Sequence, residues 1–326
     1  MRYYEIQISP SSLSTSSFSP ITFSTLTPLK TDNGSALSVD IDIFQTWYHQ
    51  PAQNGYIKIK GVDFKDLNQS ANFNLARIKV AVGMSKGLPY AQPNQAGLII
   101  DGTILQCFGN WLGSEVSLDF VIGAATYNPK TDVNLSFNWQ AKTKNENLQQ
   151  AVTNCLHKAY PNIPVNGSFS SNLVYTEDQW GQYTNLLSFS KQINHFSKQI
   201  ITSDGYLGAS IASTASGFLL FDGTVPSTKT TKVNFTGIVG NLTWIDIATI
   251  QAKLIMRSDL NVGDNIVFPK GSPVLNVINN FSQYRNNISF DGTFQINQVR
   301  HVGSSRQADG NSWCTIVNAV IPGVLK

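Results

Sequence analysis

The side chains best suited to chemistry in this chain are four histidines, His49, His157, His195 and His301, and three cysteines, Cys107, Cys155 and Cys314. A structural zinc site needs ligands at short, regular spacing. No histidine belongs to a His-x-x-x-His or His-Glu-x-x-His pattern, and the cysteines are far apart, so no metal site is expected. His157 falls on a helical stretch, where a solvated or locally bonded imidazole is the expectation. His301 follows Arg300 at a strand end and is expected to bond the adjacent loop. The cysteines are odd in number and set among apolar neighbours. They read as small buried hydrophobes of a protein made in a reducing compartment, a cytoplasm.

Nucleophilic chemistry finds no better footing. A Ser/His/Asp triad converges in space and has no fixed spacing, but a Gly-x-Ser-x-Gly elbow is absent. The glycines from Gly83 to Gly109 lack the Gly-Lys-Ser/Thr ending of a phosphate loop and precede no helix, so they read as turns. Paired carboxylates could hydrolyse glycosides, but acidic residues are sparse. Glu177 and Asp178 are expected as first-turn carboxylates favoured by a helix dipole. Trp47, Trp111, Trp139, Trp180, Trp244 and Trp313 could stack on sugars, yet most sit in alternating apolar sets that favour core packing. No catalytic residue and no cofactor is expected, and the chain is not expected to be an enzyme.

Composition narrows the class. The 326 residues are 41% hydrophobic and only 13% charged, with a net charge of +3. The charged share is about half the usual ~25%. So polar but uncharged a surface suits burial against other subunits. No Lys/Arg-dense stripe argues for nucleic-acid recognition. No run of eighteen apolar residues could span a membrane. The N-terminal Met1–Ile8 reads as a strand and not as a signal peptide.

The elements that would position these residues fall into three parts. Up to about Ala141 the chain alternates in strand fashion, as in Leu37, Val39, Ile41 and Ile43 or Leu118, Phe120 and Ile122. A helical turn is expected near Phe64 to Leu67. From Thr143 to Gln199 the apolar period lengthens to that of helices. One is expected to start at a capping box, Thr143-Lys144-Asn145-Glu146, and to stop at Pro161 and Pro164. A second is expected from Thr176-Glu177-Asp178-Gln179, with Trp180, Tyr183, Leu186, Leu187, Ile193 and Phe196 behind it. After Asp204-Gly205 strands return. Among them are Gly217–Gly223, Lys232–Val239, a short edge-type strand ending at Pro269, and a long-looped hairpin from Gly292 to Val320.

Three blocks then stand out in order. The first runs from Gly83-Met84 through Gly87-Leu88-Pro89 and Gly97 to Asp101-Gly102-Thr103-Ile104 and Gly109-Asn110-Trp111. The second is Phe235-Thr236-Gly237-Ile238-Val239-Gly240 with Thr243-Trp244-Ile245, Arg257-Ser258-Asp259-Leu260-Asn261-Val262-Gly263-Asp264 and Pro269. The third is Phe290-Asp291-Gly292-Thr293-Phe294-Gln295-Ile296 through Val299-Arg300-His301-Val302-Gly303 to Ser312-Trp313-Cys314-Thr315. With the helical island between them they cover most of the chain, and together they resemble the baseplate hub proteins of contractile-tailed phages, the group related to late control proteins.

The resemblance implies a mainly β chain with a helical insert (α+β). Two tail-tube-like β-barrel domains, 1–142 and 206–326, would be joined by a helical connector, 143–205. It implies a homotrimer whose six barrels form a pseudo-sixfold ring, with the tail tube or tube-terminal proteins above and a trimeric spike below. Tape-measure and neighbouring baseplate proteins are further implied partners. The location implied is the virion's tail baseplate. DNA would pass through without sequence-specific binding. Two other readings stay open: a β-rich receptor- or carbohydrate-binding virion protein, which predicts exposed aromatic clusters in loops, and a hydrolase with its site on the helical insert.

Overall fold

Val39, Ile41 and Ile43 alternate with Asp40 and Asp42, and in the computed structural model this run is a strand with the aliphatic residues buried and the aspartates half-buried. The structure describes residues 2–14, 17–46, 53–84, 95–124, 133–203, 206–224, 229–246, 249–269, 292–309 and 312–321. Trp47, His49, the expected turn at Lys86–Pro89, the Asp204-Gly205 turn and Phe290-Asp291 lie outside the described residues.

The strands of the first part are β1 (Arg2–Ser9), β2 (Ile21–Ser24), β3 (Ser38–Thr46), β4 (Gln53–Lys60), β5 (Arg77–Met84), β6 (Gly97–Leu112) and β7 (Glu115–Ala124), with helix α1 (Phe64–Asn68) after β4. The middle holds β8 (Leu135–Trp139), α2 (Ala141–Lys144), α3 (Leu148–Ala159), β9 (Val165–Gly167), β10 (Gln179–Tyr183), α4 (Leu186–Ile200), β11 (Ser210–Thr214) and β12 (Gly217–Phe221). The last part holds β13 (Thr230–Lys232), β14 (Thr243–Trp244), β15 (Thr249–Ile255), β16 (Asn265–Val267), β17 (Thr293–Ser304) and β18 (Trp313–Val320). The chain is a β-rich α+β protein. One thirteen-stranded sheet runs β14-β15-β18-β17-β3-β4-β7-β6-β5-β1-β2, with β16 also on β17 and β13 on β16.

That single path means the two β parts are not separate sheets. The antiparallel ladder from Gln298↔Thr46 to Ser304↔Asp40 joins β17 to β3 across more than 250 positions of sequence. Trp313 reinforces the join by inserting into the first part's core, where its Nε1–H donates to the Gly83 carbonyl at 2.8 Å. Met256 packs in the same core, and the Ser258 amide donates to the Gln95 carbonyl at 2.7 Å.

On either side of the join the chain repeats a five-strand unit. In the first part β4 pairs with β3 and β7, β7 with β6, and β6 with β5. In the last part β15 pairs with β14 and β18, β18 with β17, and β17 with β16. Chain order and pairing match strand for strand: β3 to β14, β4 to β15, β5 to β16, β6 to β17, β7 to β18. Local irregularities match too. Leu105 is skipped between Ile104↔Ile122 and Gln106↔Val121, and Asn297 between Ile296↔Ala319 and Gln298↔Asn318. Such bulges bend a strand at a fixed point, so their coincidence reflects a shared bend.

The middle part has its own core, in which Trp139, Leu148, Val152, Leu156, Phe189 and Ile193 are fully buried. It takes in β8 from before the island and β11 and β12 from after it. Several local expectations are corrected here. The working capping box is Asn147 with Gln150, not Thr143 with Glu146, and it opens α3. Thr143 lies in the short α2, which Asn145 ends in a left-handed conformation (φ 52°). Trp180 and Tyr183 lie on β10, paired to β8, and the second long helix starts only after Asn185, whose side chain caps Ser188. The cause is Gly181: glycine costs a helix about 1 kcal/mol, and here the cross-strand partners Asn138, Phe137 and Ser136 are in place instead. Lys232–Val239 is strand only at its start and turns into a 3-10 turn at Phe235–Gly237. The strand before Pro269 is not an edge, because β16 lies between β13 and β17.

Candidate functional site

The join between the repeated units gives the chain its most distinctive surface. Strand alternation puts Val39, Ile41, Ile43, Ile57, Ile59, Leu118 and Phe120 into the core, so the intervening side chains of β3, β4 and β7 face the other way. Register then fixes rows across the sheet. One row is Val302, Asp42, Tyr56, Val121 and Gln106; the next is Ser304, Asp40, Lys58, Asp119 and Phe108. Arg300, opposite Phe44 in the ladder, donates from Nε and Nη2 to the two Asp42 carboxylate oxygens at 2.7 and 2.6 Å. Lys60 meets Asp40 at 2.8 Å and Lys58 meets Glu115 at 2.9 Å. A shallow depression of about 470 Å³ lies on this face, lined in part by Asp42, Phe44, Tyr56, Val121 and Arg300. Burial and the nearby Asp119 carboxylate push the Tyr56 hydroxyl's pKa above its ordinary value.

This face offers charged pairs and apolar side chains but no assembled nucleophile and base. Asp42, Asp40 and Glu115 are matched to cations and Asp119 Oδ2 accepts from the Asn110 side-chain amide, while the oxygens Asp40 Oδ1 and Asp119 Oδ1 are buried with no partner among the described residues. Among the described residues no group of three His, Cys, Asp or Glu is placed to hold a metal.

His301, expected at a strand end bonding a loop, lies three residues before the end of β17 and is buried, with its Nδ1 bonded to Thr315 of β18 and not to a loop. Its register places Thr315 on one side and Ile43 on the other, so both flanking strands cover the ring. Thr315 Oγ1 lies 3.0 Å from the Arg257 carbonyl and accepts from the Arg257 amide at 2.9 Å. The His301 Nδ1 lies 3.1 Å from the same Thr315 hydroxyl, which also reaches Met256 Sδ at 3.7 Å. Burial lowers the His301 pKa to about 4, against a smaller raising effect of Asp259. Arg257 itself is buried and clamps Asp259 through Nε and Nη2 at 2.7 and 2.6 Å. The group is a packed polar core at the join.

The remaining candidates resolve individually. Cys107, Cys155 and Cys314 are buried thiols outside any disulfide among the described residues, as expected, and burial pushes the Cys155 thiol up to about 11. Glu177 and Asp178 do not begin a helix. Asp178 Oδ1 accepts from the amides of Lys142 and Thr143 at 2.8 and 3.0 Å, capping α2 from 35 residues away, and Glu177 pairs with Lys142 at 3.2 Å. His195 Nε2 bonds the Gln199 side chain at 3.0 Å. Of the described tryptophans, Trp139, Trp244 and Trp313 are buried, whereas Trp111 and Trp180 are 64% and 86% exposed. Trp111 meets the exposed Phe64 edge to face, ring centroids 5.0 Å apart, at the tip of the β6–β7 hairpin. Sequence reasoning missed that cluster because the hairpin continues a buried alternating pattern and emerges from the core only at Phe108.

No protein-family model matches the sequence, and a search of curated proteins finds no match either. Solved structures do match. A 43 kDa tail protein of prophage MuSo2 from Shewanella oneidensis superposes over 100% of this chain and 99% of its own, with a TM-score of 0.55 at 8% identity. A tail protein from Neisseria meningitidis MC58 covers 99% and 98%, with a TM-score of 0.53 at 10% identity. Along its whole length, the chain shares the fold of these two tail proteins.

Proposed function

We propose that the chain is a structural component of a phage-type tail, a baseplate hub that joins a hexameric tail tube to a trimeric spike. The observation that carries this reading is the head-to-tail repeat. Two copies of one strand unit sit side by side in a single sheet, so three chains would present six units. In this reading two tube-type β units, about 1–142 and 206–326, flank a helical connector of about 143–205. The chain would contact tube proteins on one side, the spike on the other, and tape-measure and other baseplate proteins nearby. DNA would pass through the ring without being read. The role is mechanical and involves no bond breaking. A cryo-EM reconstruction of the tail tip tests it by counting chains. Three copies around a lumen are expected; six copies in a plain ring would overturn the hub reading.

A second reading has one observation in its favour. The exposed Phe64–Trp111 pair offers a surface for a sugar ring or another apolar ligand. Glycan binding by the purified chain that disappears in Trp111→Ala would support it over the hub.

A further inference from the structure

In the middle part, β8 and β10 form a two-stranded sheet whose two faces differ. The inner face is packed: Leu135, Phe137 and Trp139 are buried, and the Tyr183 ring lies against Phe189, centroids 5.4 Å apart. Strand alternation turns Ser136, Asn138, Trp180 and Gln182 to the other side. Register sets Trp180 opposite Asn138 and Gln182 opposite Ser136. Trp180 is 86% exposed, Asn138 and Gln182 are exposed, and Ser136 is half-buried. An indole so open to water on a strand whose other face is fixed in a core calls for a ligand.

We propose that this outer face binds a neutral oligosaccharide, with the Trp180 indole as its stacking platform and Asn138, Gln182 and Ser136 as hydrogen-bonding partners. A sugar ring offers C–H groups on its face and hydroxyls around its edge. It is held by an aromatic plane set beside side chains that both donate and accept. Amides and hydroxyls do both. The side chains of Ser136, Asn138 and Gln182 and the Trp180 N–H have no hydrogen-bond partner among the described residues, so their capacity is open to a ligand. Neighbouring side chains on such a face stand about 7 Å apart along a strand and about 5 Å across it, the scale of one sugar ring with its hydroxyls.

Charge decides for a neutral sugar. No charged residue occurs from 133 to 141 or from 179 to 190. The nearest ones in sequence are engaged: Lys142 meets Glu177 at 3.2 Å, and Asp178 accepts from the Lys142 and Thr143 amides at 2.8 and 3.0 Å. The surroundings of the indole decide for a sugar over a protein. A tryptophan anchor in a protein interface sits in a wider apolar core. Here its sheet neighbours are amides and a hydroxyl, and the other exposed large hydrophobic described in the middle part is Val174, on neither strand. The Phe64–Trp111 pair is a separate surface in the first β part, and its indole N–H already donates to the Gly113 carbonyl at 2.9 Å. The packed inner face holds the platform in place before any ligand arrives, which lowers the ordering cost of binding. Nothing in this inference rests on the hub reading.

The experiment is calorimetric titration of the purified full chain with cellohexaose, maltohexaose and the hexamer of N-acetylglucosamine, and with oligogalacturonate as an acidic probe. At least one neutral chain is expected to bind, and the acidic one more weakly. Trp180→Ala should weaken that binding about tenfold or more. Asn138→Ala and Gln182→Ala should each weaken it about three- to tenfold. Trp180→Tyr, which keeps an aromatic plane, should retain most of it. These side chains are exposed, so melting temperatures should match wild type, and Trp111→Ala should bind as wild type does. Failure of all three neutral chains to bind overturns the proposal, and so does equal or tighter binding of the acidic one. Binding that survives Trp180→Ala but is lost in Trp111→Ala puts the sugar on the β6–β7 hairpin and overturns it as well. If no sugar binds and Trp180→Ala fails to enter tails, the face is a protein contact instead. Copies per tail do not enter into any of these outcomes, so the hub reading stands or falls separately.

Discussion

Leu75 and Gly263 occupy the same place in the two β units. The Leu75 amide donates to the Ile104 carbonyl at 2.7 Å and the Ile104 amide returns a bond to Ala76 at 2.9 Å; the Gly263 amide donates to Ile296 at 2.8 Å and the Ile296 amide returns one to Asp264 at 2.9 Å. Both residues are left-handed, with φ of 63° and 89°. The repeated feature is a backbone clasp next to the bulge, held by leucine in one unit and glycine in the other.

The clasp makes Gly263 sensitive to substitution. An added Cβ would lie 3.3 Å from Leu219 Cδ2 and 3.4 Å from the Phe221 ring, besides the left-handed cost of about 1–2 kcal/mol. Gly263→Ala is therefore expected to lose about 2 kcal/mol by denaturant unfolding. No loss of stability would show that the turn can leave the left-handed region.

Much of the first part was legible in the sequence because Val39, Ile41, Ile43 and their neighbours alternate with polar residues at the period of a half-buried strand. The join was not, because the partners of β3 and β17 lie more than 250 residues apart and either strand alone reads as an ordinary one. The resemblance implied two like β units, but the residues themselves did not show the repeat, for a different reason. Asp101-Gly102-Thr103 recurs in sequence as Asp291-Gly292-Thr293, but Ile104 and Ile296 are the structural equivalents, so the look-alike triplets stand two residues out of register. What repeats is geometry, which Leu75 and Gly263 reach with unrelated side chains. The candidate polar core was half legible: His301 was visible as a residue, but its enclosure depends on β3 and β18 closing over it.

That enclosure predicts a pH dependence. Burial disfavours the imidazolium, so the folded pKa of about 4 lies below the ordinary 6.5. The unfolded chain then binds the proton more readily, and stability rises with pH across that interval. The contribution is complete above about pH 6.5 and is lost as pH falls toward 4, roughly 3 kcal/mol in all. His301→Leu leaves the Thr315 bonds to Arg257 in place and should flatten the curve of unfolding free energy between pH 6.5 and 4.5. An unchanged slope would assign the dependence to other groups.

The two arginine pairs near the join should differ in worth. Arg300 and Asp42 are each about two-fifths exposed, at 44% and 40%, so their pair is screened and Arg300→Ala should cost no more than about 1 kcal/mol, less at high salt. Arg257 is 5% exposed, and Asp259→Asn leaves its charge without a counter-ion in the interior. That change is expected to cost about 3 kcal/mol or more. Equal losses in the two variants would show that water reaches Arg257.

Trp313 couples the last part of the chain to the first. Its indole fills the first part's core and its Nε1–H satisfies the Gly83 carbonyl. Trp313→Phe keeps most of the apolar volume but strands that carbonyl, at a cost of about 1–3 kcal/mol. Trp313→Ala adds a cavity and should cost about 3–5 kcal/mol. With the β3–β17 ladder intact, the wild-type β parts should unfold in one calorimetric transition, and Trp313→Ala should broaden or split it. Two transitions already present in the wild type would mean that the ladder does not couple them.

On the helical connector, Asp178 separates a structural role from a catalytic one. Its carboxylate accepts from the Lys142 and Thr143 amides and the Thr143 hydroxyl, and the Thr143 bonds lead the effects that hold its pKa below the ordinary carboxylate range. A hydrolytic acid would need the opposite shift, toward neutrality. As a cap, Asp178→Ala should lower the stability measurably in denaturant unfolding, and Asp178→Asn less, since the amide oxygen can still accept. Glu177→Ala removes only an exposed ion pair with Lys142, so stability should stay within about 0.5 kcal/mol of wild type. Stability loss at Asp178 with assembly into tails preserved fits a connector whose carboxylates serve its own backbone. A loss of hydrolytic activity in Asp178→Asn at unchanged stability would instead make the connector an active site.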